Sequence, residues 1–211
     1  MTVLAVIAKA PVAGRSKTRL CPPCTPAQAA ELAAAALADT LAAVAATPAD
    51  RRVIVLDGAP GPWLPDGFEV IAQRGDGLAE RLAAAFADIG TSALVVGMDT
   101  PQLTPRMLAH ALRALAGSES VLGPAPDGGY WAIGLRRPDD AVFAGVPMSD
   151  DRTCAAQRER LRALGLTLHE LPALRDVDDI ADAHAVAALA PRTCFARELA
   201  TMRLLPAGRV A

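Results

Sequence analysis

The chain has 211 residues, 52% of them hydrophobic and 21% charged, with a formal net charge of -2; that balance excludes a disordered chain and argues against a general nucleic-acid binder, which needs a basic face. The length fits one domain, residues 1–211, able to bury a substantial core. No apolar run approaches the roughly 20 residues of a bilayer span, and the run at 3–8 is too short for a signal-peptide core, so the expectation is a cytoplasmic protein that engages neither membrane nor nucleic acid.

Residues 3–8 are apolar, carry Val and Ile, and lead into a Pro/Gly loop; they read as a buried strand. After the loop at 9–25, Thr25-Pro26 supplies an N-cap and a first-turn proline for a long Ala/Leu-rich helix to about residue 46. Residues 52–56 read as a second buried strand, 58–67 as a surface loop, 68–72 as a short strand and 78–89 as an amphipathic helix. Another buried strand occupies 93–97, and Thr104-Pro105 opens a helix to about residue 116. Segments 120–123 and 130–135 read as strands flanking a loop. A helix at 151–164, a strand at 166–171 and a helix at 180–189 follow.

Strands alternating with helices predict a three-layer α/β, Rossmann-like architecture. The continuous apolar strands predict a mostly parallel sheet covered on both faces. Ligands of such sheets bind beyond the C-terminal strand ends, so the residues that follow each strand carry the functional signal.

All but two of the 21 basic residues are arginine, and the two lysines, Lys9 and Lys17, stand in the loop after the first strand. In an Ala- and Arg-rich chain that composition suggests a coding bias against lysine, and a lysine that persists is more readily explained by its chemistry. The same loop holds Gly14, Arg15 and Arg19. A glycine lets the backbone approach a ligand closely, and compact and forked cations suit phosphate oxygens. The spacing is not that of a Walker A loop. Lys9, Gly14, Arg15, Lys17 and Arg19 are therefore candidate phosphate-binding residues, although a solvated basic loop has the same composition.

Asp99 follows the strand at 93–97, and Asp176 and Asp178 follow the last strand. Carboxylates on the rim opposite a cationic loop suit a divalent ion that bridges diphosphate oxygens. Read locally, the same residues are turn and helix-capping aspartates. Asp127-Gly128-Gly129-Tyr130 reads as a substrate-contacting turn or as a plain hairpin. Gly75 and Asp76, in the loop entering the 78–89 helix, are weaker candidates for contact with the nucleotide. Asp150-Asp151 reads as a helix start. Cys21 and Cys24 form a Cys-Pro-Pro-Cys pair in a Pro-rich loop well past the strand, without the second close pair a zinc site needs, and read as loop cysteines. His110, His169 and His184 lie within regular elements without matched partners.

Taken in order, Lys9-Ala10-Pro11, Gly14-Arg15, Lys17-Thr18-Arg19-Leu20, then Gly97, Asp99, Pro101 and Leu103, then Gly123-Pro124 with Asp127-Gly128-Gly129-Tyr130, and Asp176-Val177-Asp178 form a recognisable set. The chain resembles, over residues 3–189, the rSAM/selenodomain-associated transferase 1 family of the nucleotide-diphospho-sugar transferase superfamily. Its first loop and Asp-Val-Asp segment are also similar to those of phospholactate and phosphoenolpyruvate guanylyltransferases. The resemblance implies a glycosyltransferase-A-like fold with nucleotide phosphates on Gly14, Arg15, Lys17 and Arg19. It implies Mg²⁺ or Mn²⁺ on Asp99 and Asp178 with Asp176 assisting, and an acceptor near Asp127, Gly128, Gly129 and Tyr130. Where the family usually has Trp-Ser/Gly-Thr, this chain reads Met148-Ser149-Asp150, which leaves the acceptor open.

Two reactions fit. In nucleotidyl transfer an anionic acceptor attacks the α-phosphorus of an NTP, with Lys17 on the outgoing phosphates and Asp99 holding the metal. In glycosyl transfer from an NDP-sugar, a hydroxyl acceptor needs a base, and Asp127 is the candidate. The density of cations favours the NTP. A nucleotide-binding module without catalysis, or a redox protein using Cys21 and Cys24, is the third reading. The partners expected are thus an NTP or NDP-sugar and a small acceptor, and a homodimer is compatible with the sequence.

Overall fold

The computed structural model describes residues 1–204. Its strands are β1 (Val3–Lys9), β2 (Arg51–Asp57), β3 (Glu69–Ala72), β4 (Ala93–Gly97), β5 (Ser120–Pro124), β6 (Tyr130–Leu135) and β7 (Leu168–Glu170). Its helices are α1 (Pro26–Ala45), α2 (Leu78–Ile89), α3 (Pro105–Gly117), α4 (Thr153–Ala163), α5 (Ile180–Leu189) and α6 (Cys194–Thr201). The strands form one sheet in the order β3-β2-β1-β4-β6-β5-β7. Neighbouring strands run parallel except at β6, which is antiparallel to both β4 and β5.

The central strands are buried on both faces, which is why they read as unbroken apolar runs, whereas the edge strands β3 and β7 are largely exposed. Leu4, Val6, Ile54, Leu94 and Val96 meet Leu37, Leu41, Leu108 and Leu115 of α1 and α3. On the opposite face Val3, Ala5, Val53 and Val95 meet Leu82, Phe86 and Leu161 of α2 and α4. A third apolar cluster joins Leu32 and Ala36 of α1 to Val186 of α5 and to Phe195 and Leu199 of α6.

That third cluster accounts for a departure from the expectation that no apolar run approaches the length of a bilayer span. At 20 residues α1 is long and apolar enough to cross a bilayer. Its apolar character has a structural cause: one side of α1 packs on the sheet and another on α5 and α6, so apolar residues are needed around more of the helix than in a surface helix.

Other differences are local. The expected helix at 151–164 begins at Thr153 because the Asp150 carboxylate accepts from the Arg152 N–H at 2.8 Å and the Thr153 hydroxyl donates to the Asp150 carbonyl at 2.7 Å, which makes a turn. The last strand is shorter than expected: Leu166 is still tied to Leu161 at the end of α4. Helix α6 has no counterpart among the sequence expectations. Thr193 caps it, and the Asp39 carboxylate of α1 accepts from the N–H groups of Cys194 and Phe195, each at 2.8 Å.

Asp39→Ala leaves two helix-terminal donors of α6 without their acceptor. It should lower stability by about 1–2 kcal/mol in urea unfolding; an unchanged midpoint would show that water replaces the carboxylate at no cost.

Candidate active site

The C-terminal ends of β1 and β4 lie side by side, with Ile7 opposite Gly97 in the ladder. The loop leaving β1 is closed on itself by Ser16, a buried residue whose hydroxyl accepts from the Val12 N–H and donates to the Ala10 carbonyl, both at 3.0 Å. Gly14 takes a positive φ of 75° within this loop. Lys17 also sits in the left-handed region, at φ 48°, a conformation costly for a residue with a Cβ and sustained only by its surroundings.

Those surroundings are carboxylates. The Lys17 ammonium donates to Asp99 at 2.6 Å and to Asp178 at 3.2 Å, and its side chain is only 13% exposed. Arg19 reaches the other oxygen of Asp178 at 2.9 Å. Burial alone would lower the Lys17 pKa, but the two carboxylates outweigh it and hold the amine above its ordinary value. Arg15 is exposed and lines the same groove as Lys9, Lys17 and Arg19.

Asp99 has room because residue 97 is glycine: a Cβ there would lie 3.0 Å from the Asp99 carboxylate. The Asp99 carbonyl accepts from the Val177 N–H at 3.0 Å, which lays the 176–178 segment against the end of β4. Carboxylate oxygens of Asp99, Asp176 and Asp178 then all fall within 4.8 Å of one another. An all-oxygen set of this kind suits a hard divalent cation. Burial, then the charges of Asp99, Asp127 and Asp178, push the Asp176 carboxyl up to about 7. Such a crowded set of like charges is what a cation would relieve.

Asp127 enters from the β5–β6 hairpin, where it accepts from the Gly129 N–H at 2.9 Å. Tyr130 is largely enclosed; burial raises its phenol pKa, and its hydroxyl lies 3.4 Å from the Gln157 amide oxygen and 3.8 Å from the Met148 sulfur. Tyr130 thus lines the cleft beside Asp99 and Asp176 while its hydroxyl is directed into the protein. The segment 148–151 packs on the same hairpin: a Cβ at Gly128 would come within 1.9 Å of the Asp151 carbonyl, and the Gly128 carbonyl accepts from the Cys154 N–H at 2.7 Å.

Residues 28–150 match the family model described as "Uncharacterized protein conserved in bacteria (DUF2064)". The chain belongs to this family. No curated protein matches the sequence. Among solved structures, a candidate nucleotide-diphospho-sugar transferase from Desulfovibrio desulfuricans G20 is 26% identical, with 94% of each chain covered and a TM-score of 0.85. Rv0371c of Mycobacterium tuberculosis H37Rv, solved with manganese, is 21% identical over 88% of this chain and 96% of its own, with a TM-score of 0.56. The 2-C-methyl-D-erythritol 4-phosphate cytidylyltransferase of Thermus thermophilus is 19% identical over 90% of this chain and 100% of its own, with a TM-score of 0.56. At those lower identities the likeness is one of fold, and the fold is the mixed, mostly parallel α/β sheet expected for nucleotide-diphospho-sugar transferases.

In this DUF2064 chain Lys9, Lys17, Arg19, Asp99, Asp176 and Asp178 gather at one rim with Arg15 on its exposed side, while Gly14, exposed in the same loop, lines neither the groove nor the cleft. Gly75 and Asp76 do not join them. Their loop is exposed and used locally, with the Asp76 N–H donating to the Glu80 carboxylate at 2.8 Å and Gly75 packed on Glu80. From the same stretch it is Gln73 that lines the cleft, its amide donating to the Ala8 and Val55 carbonyls at 2.7 and 3.0 Å. Sequence reasoning gave Ser16 and Asp57 no role, and Gly97 only a place in the motif around Asp99. Asp57 ends β2 and pairs with Lys9 at 3.8 Å and Arg81 at 3.2 Å, so reading the residue at every strand end would have found it. Cys24 is buried in the third cluster, and burial, then its neighbour Cys21, push its thiol pKa up, the reverse of a reactive cysteine. His110 does have a partner: its ring meets that of His169 edge-on, with centroids 6.0 Å apart.

The raised Asp176 pKa has a stability consequence. The folded carboxyl titrates near 7 against an ordinary 3.8. The native state therefore keeps a proton that the unfolded chain releases, and stability falls as pH rises through that window. Without metal, Asp176→Asn should melt above the wild type at pH 8 and converge on it at pH 4. Parallel curves would show that Asp176 carries no such penalty.

Proposed function

We propose that the chain is a cytoplasmic, divalent-metal-dependent nucleotidyltransferase that moves NMP from an NTP to a small phosphorylated or otherwise anionic acceptor. The coarser statement, a nucleotide-using transferase, is supported by the transferases that share the fold. The observation that carries the finer one is the placing of Lys17 between Asp99 and Asp178, with Arg15 and Arg19 alongside, at the C-terminal ends of β1 and β4. Cations for several phosphate oxygens and carboxylates for a metal stand within one side-chain length of each other, the combination a metal–triphosphate needs. The same motifs support the finer placement within the rSAM/selenodomain-associated transferase 1 family.

On this reading Arg15, Lys17 and Arg19 bind the β- and γ-phosphates, and Asp99 and Asp178, with Asp176, hold Mg²⁺ or Mn²⁺. When bound, the ion supplies charge neutralisation at the α-phosphate. Gly128 and Gly129 border the acceptor side, and Asp127 faces it from the hairpin. A phosphate acceptor is already ionised and needs no protein base. Glycosyl transfer from an NDP-sugar is the second reading, favoured by the 26% identity to the Desulfovibrio protein; there Asp127 would take the proton of a hydroxyl acceptor.

A thermal-shift panel of NTPs and NDP-sugars with Mg²⁺ or Mn²⁺, followed by assay of pyrophosphate release, separates the two. Stabilisation by an NTP with pyrophosphate release is expected; stabilisation by NDP-sugars alone would favour the second reading. Lys17→Ala should weaken NTP binding at least about tenfold and, by freeing Asp99 and Asp178, tighten the binding of Mn²⁺ alone. Unchanged NTP affinity would remove Lys17 from the phosphate site.

A further inference from the structure

On the α3 face of the sheet, beside the cleft that holds Asp99 and Asp176, α3 and the segment 171–174 line a cavity of about 300 Å³, at the lower end of the range for small-ligand sites. Its floor is apolar, formed by Met107, Trp131, Leu171 and Leu174. Its edge carries two arginines and basic rings. Arg106, His110 and Arg113 fall at i, i+4 and i+7 of α3 and so share one face, and His169 of β7 stands against His110. No carboxylate lines the cavity among the described residues. Arg51 and Arg158 are engaged by glutamates at 2.6 and 2.7 Å, whereas Arg106 and Arg113 have no such partner among the described residues.

The floor is a fixed surface. The Trp131 indole donates to the Pro172 carbonyl at 3.0 Å, and it lies against Gly123, where a Cβ would come within 2.5 Å. The Leu171 and Leu174 N–H groups donate to the Leu122 and Pro124 carbonyls at 2.9 and 3.1 Å. The same segment then continues into the candidate active site. The Gln102 amide donates to the Arg175 carbonyl, and Val177 is bonded to the Asp99 carbonyl. Trp131 lines both the cavity and the cleft that contains Asp99 and Asp176.

We propose that this cavity is a second ligand site, which binds a small organic anion with an apolar body and transmits its occupancy through residues 171–178 to the carboxylates of Asp99, Asp176 and Asp178. The apolar floor accepts the body, and the two arginines take a carboxylate or phosphate. The binding half is independent of which group the enzyme transfers. The transmission half rests on the metal reading of the acidic triad.

Calorimetric titration with 1-naphthoate, 1-naphthyl phosphate and uncharged 1-naphthol tests binding and separates a carboxylate from a phosphate ligand. At least one anion should bind about tenfold more tightly than 1-naphthol, and the exposed pair Arg106→Ala with Arg113→Ala should abolish that advantage without moving the melting temperature. Equal binding of all three probes, or an anion affinity that survives the double substitution, would overturn the site; survival of 1-naphthyl phosphate binding alone would assign it to the loop after β1. Met107→Trp, which fills the floor, provides a second variant and should block the anion with both arginines intact. The affinity for Mn²⁺ alone, followed by the spin resonance of free Mn²⁺, should change at least about fivefold when the cavity is saturated. A constant Mn²⁺ affinity would overturn the transmission while leaving the NTP reading to its own assay.

Discussion

Three stretches of chain that are distant in sequence meet at the Lys17 ammonium. The loop after β1 supplies it, the end of β4 supplies Asp99 and the approach to α5 supplies Asp178. Lys17 reaches them from a left-handed backbone conformation that Ser16 helps to set by closing the preceding turn. The ammonium is well enclosed while its two carboxylate partners are part-buried, and the paired contacts offset part of the cost of that backbone conformation. Arg19 shares Asp178, so the contact is a small network with one cation inside and one at the surface.

The sheet explains why these stretches converge. Parallel strands end on one rim, so β1 and β4 deliver their following loops side by side. The single reversed strand, β6, adds what a wholly parallel sheet would not. Because β5 points to the same rim, the turn from β5 into β6 is made there, and Asp127 reaches the acidic cluster closely enough to raise the Asp176 pKa. Gly97 and Gly128 are the spacing elements of this arrangement, one leaving room for a carboxylate and the other for the backbone at Asp151.

Much of this was legible because the signals are local. Thr25-Pro26 and Thr104-Pro105 mark helix starts within a few residues, and both threonines cap as expected. Unbroken apolar runs marked the central strands, and the residues just beyond β1 and β4 marked the rim. What was not legible depends on long-range pairing. Helix α6 is capped from Asp39, 155 residues upstream. The edge-on contact of His110 and His169 crosses from α3 to β7. Gly75 and Asp76 sit in a loop of ligand-binding composition where the Asp76 N–H donates to Glu80 and the Gly75 carbonyl accepts from Arg81. The apolar face of α1 that serves α5 and α6 has no counterpart in a one-sided helical pattern.

Lysine scarcity takes on a physical meaning in this light. A guanidinium needs a planar, forked arrangement of acceptors, whereas an ammonium is a compact charge that can serve two carboxylates and then a phosphate by a small rotation. With Lys17 bound to Asp99 and Asp178, the acidic cluster is partly neutralised by the protein itself. On the nucleotidyltransferase reading, triphosphate oxygens compete for Lys17 and Arg19, and each cation drawn toward the nucleotide leaves a carboxylate uncompensated. Polyanion and divalent cation are then linked: each is bound more strongly in the presence of the other, and by the same factor in both directions. Neither the loop nor the acidic cluster is therefore a complete site alone, which accounts for a chain with a net charge of only -2 placing one of its two lysines, Lys17, on its most crowded aspartates.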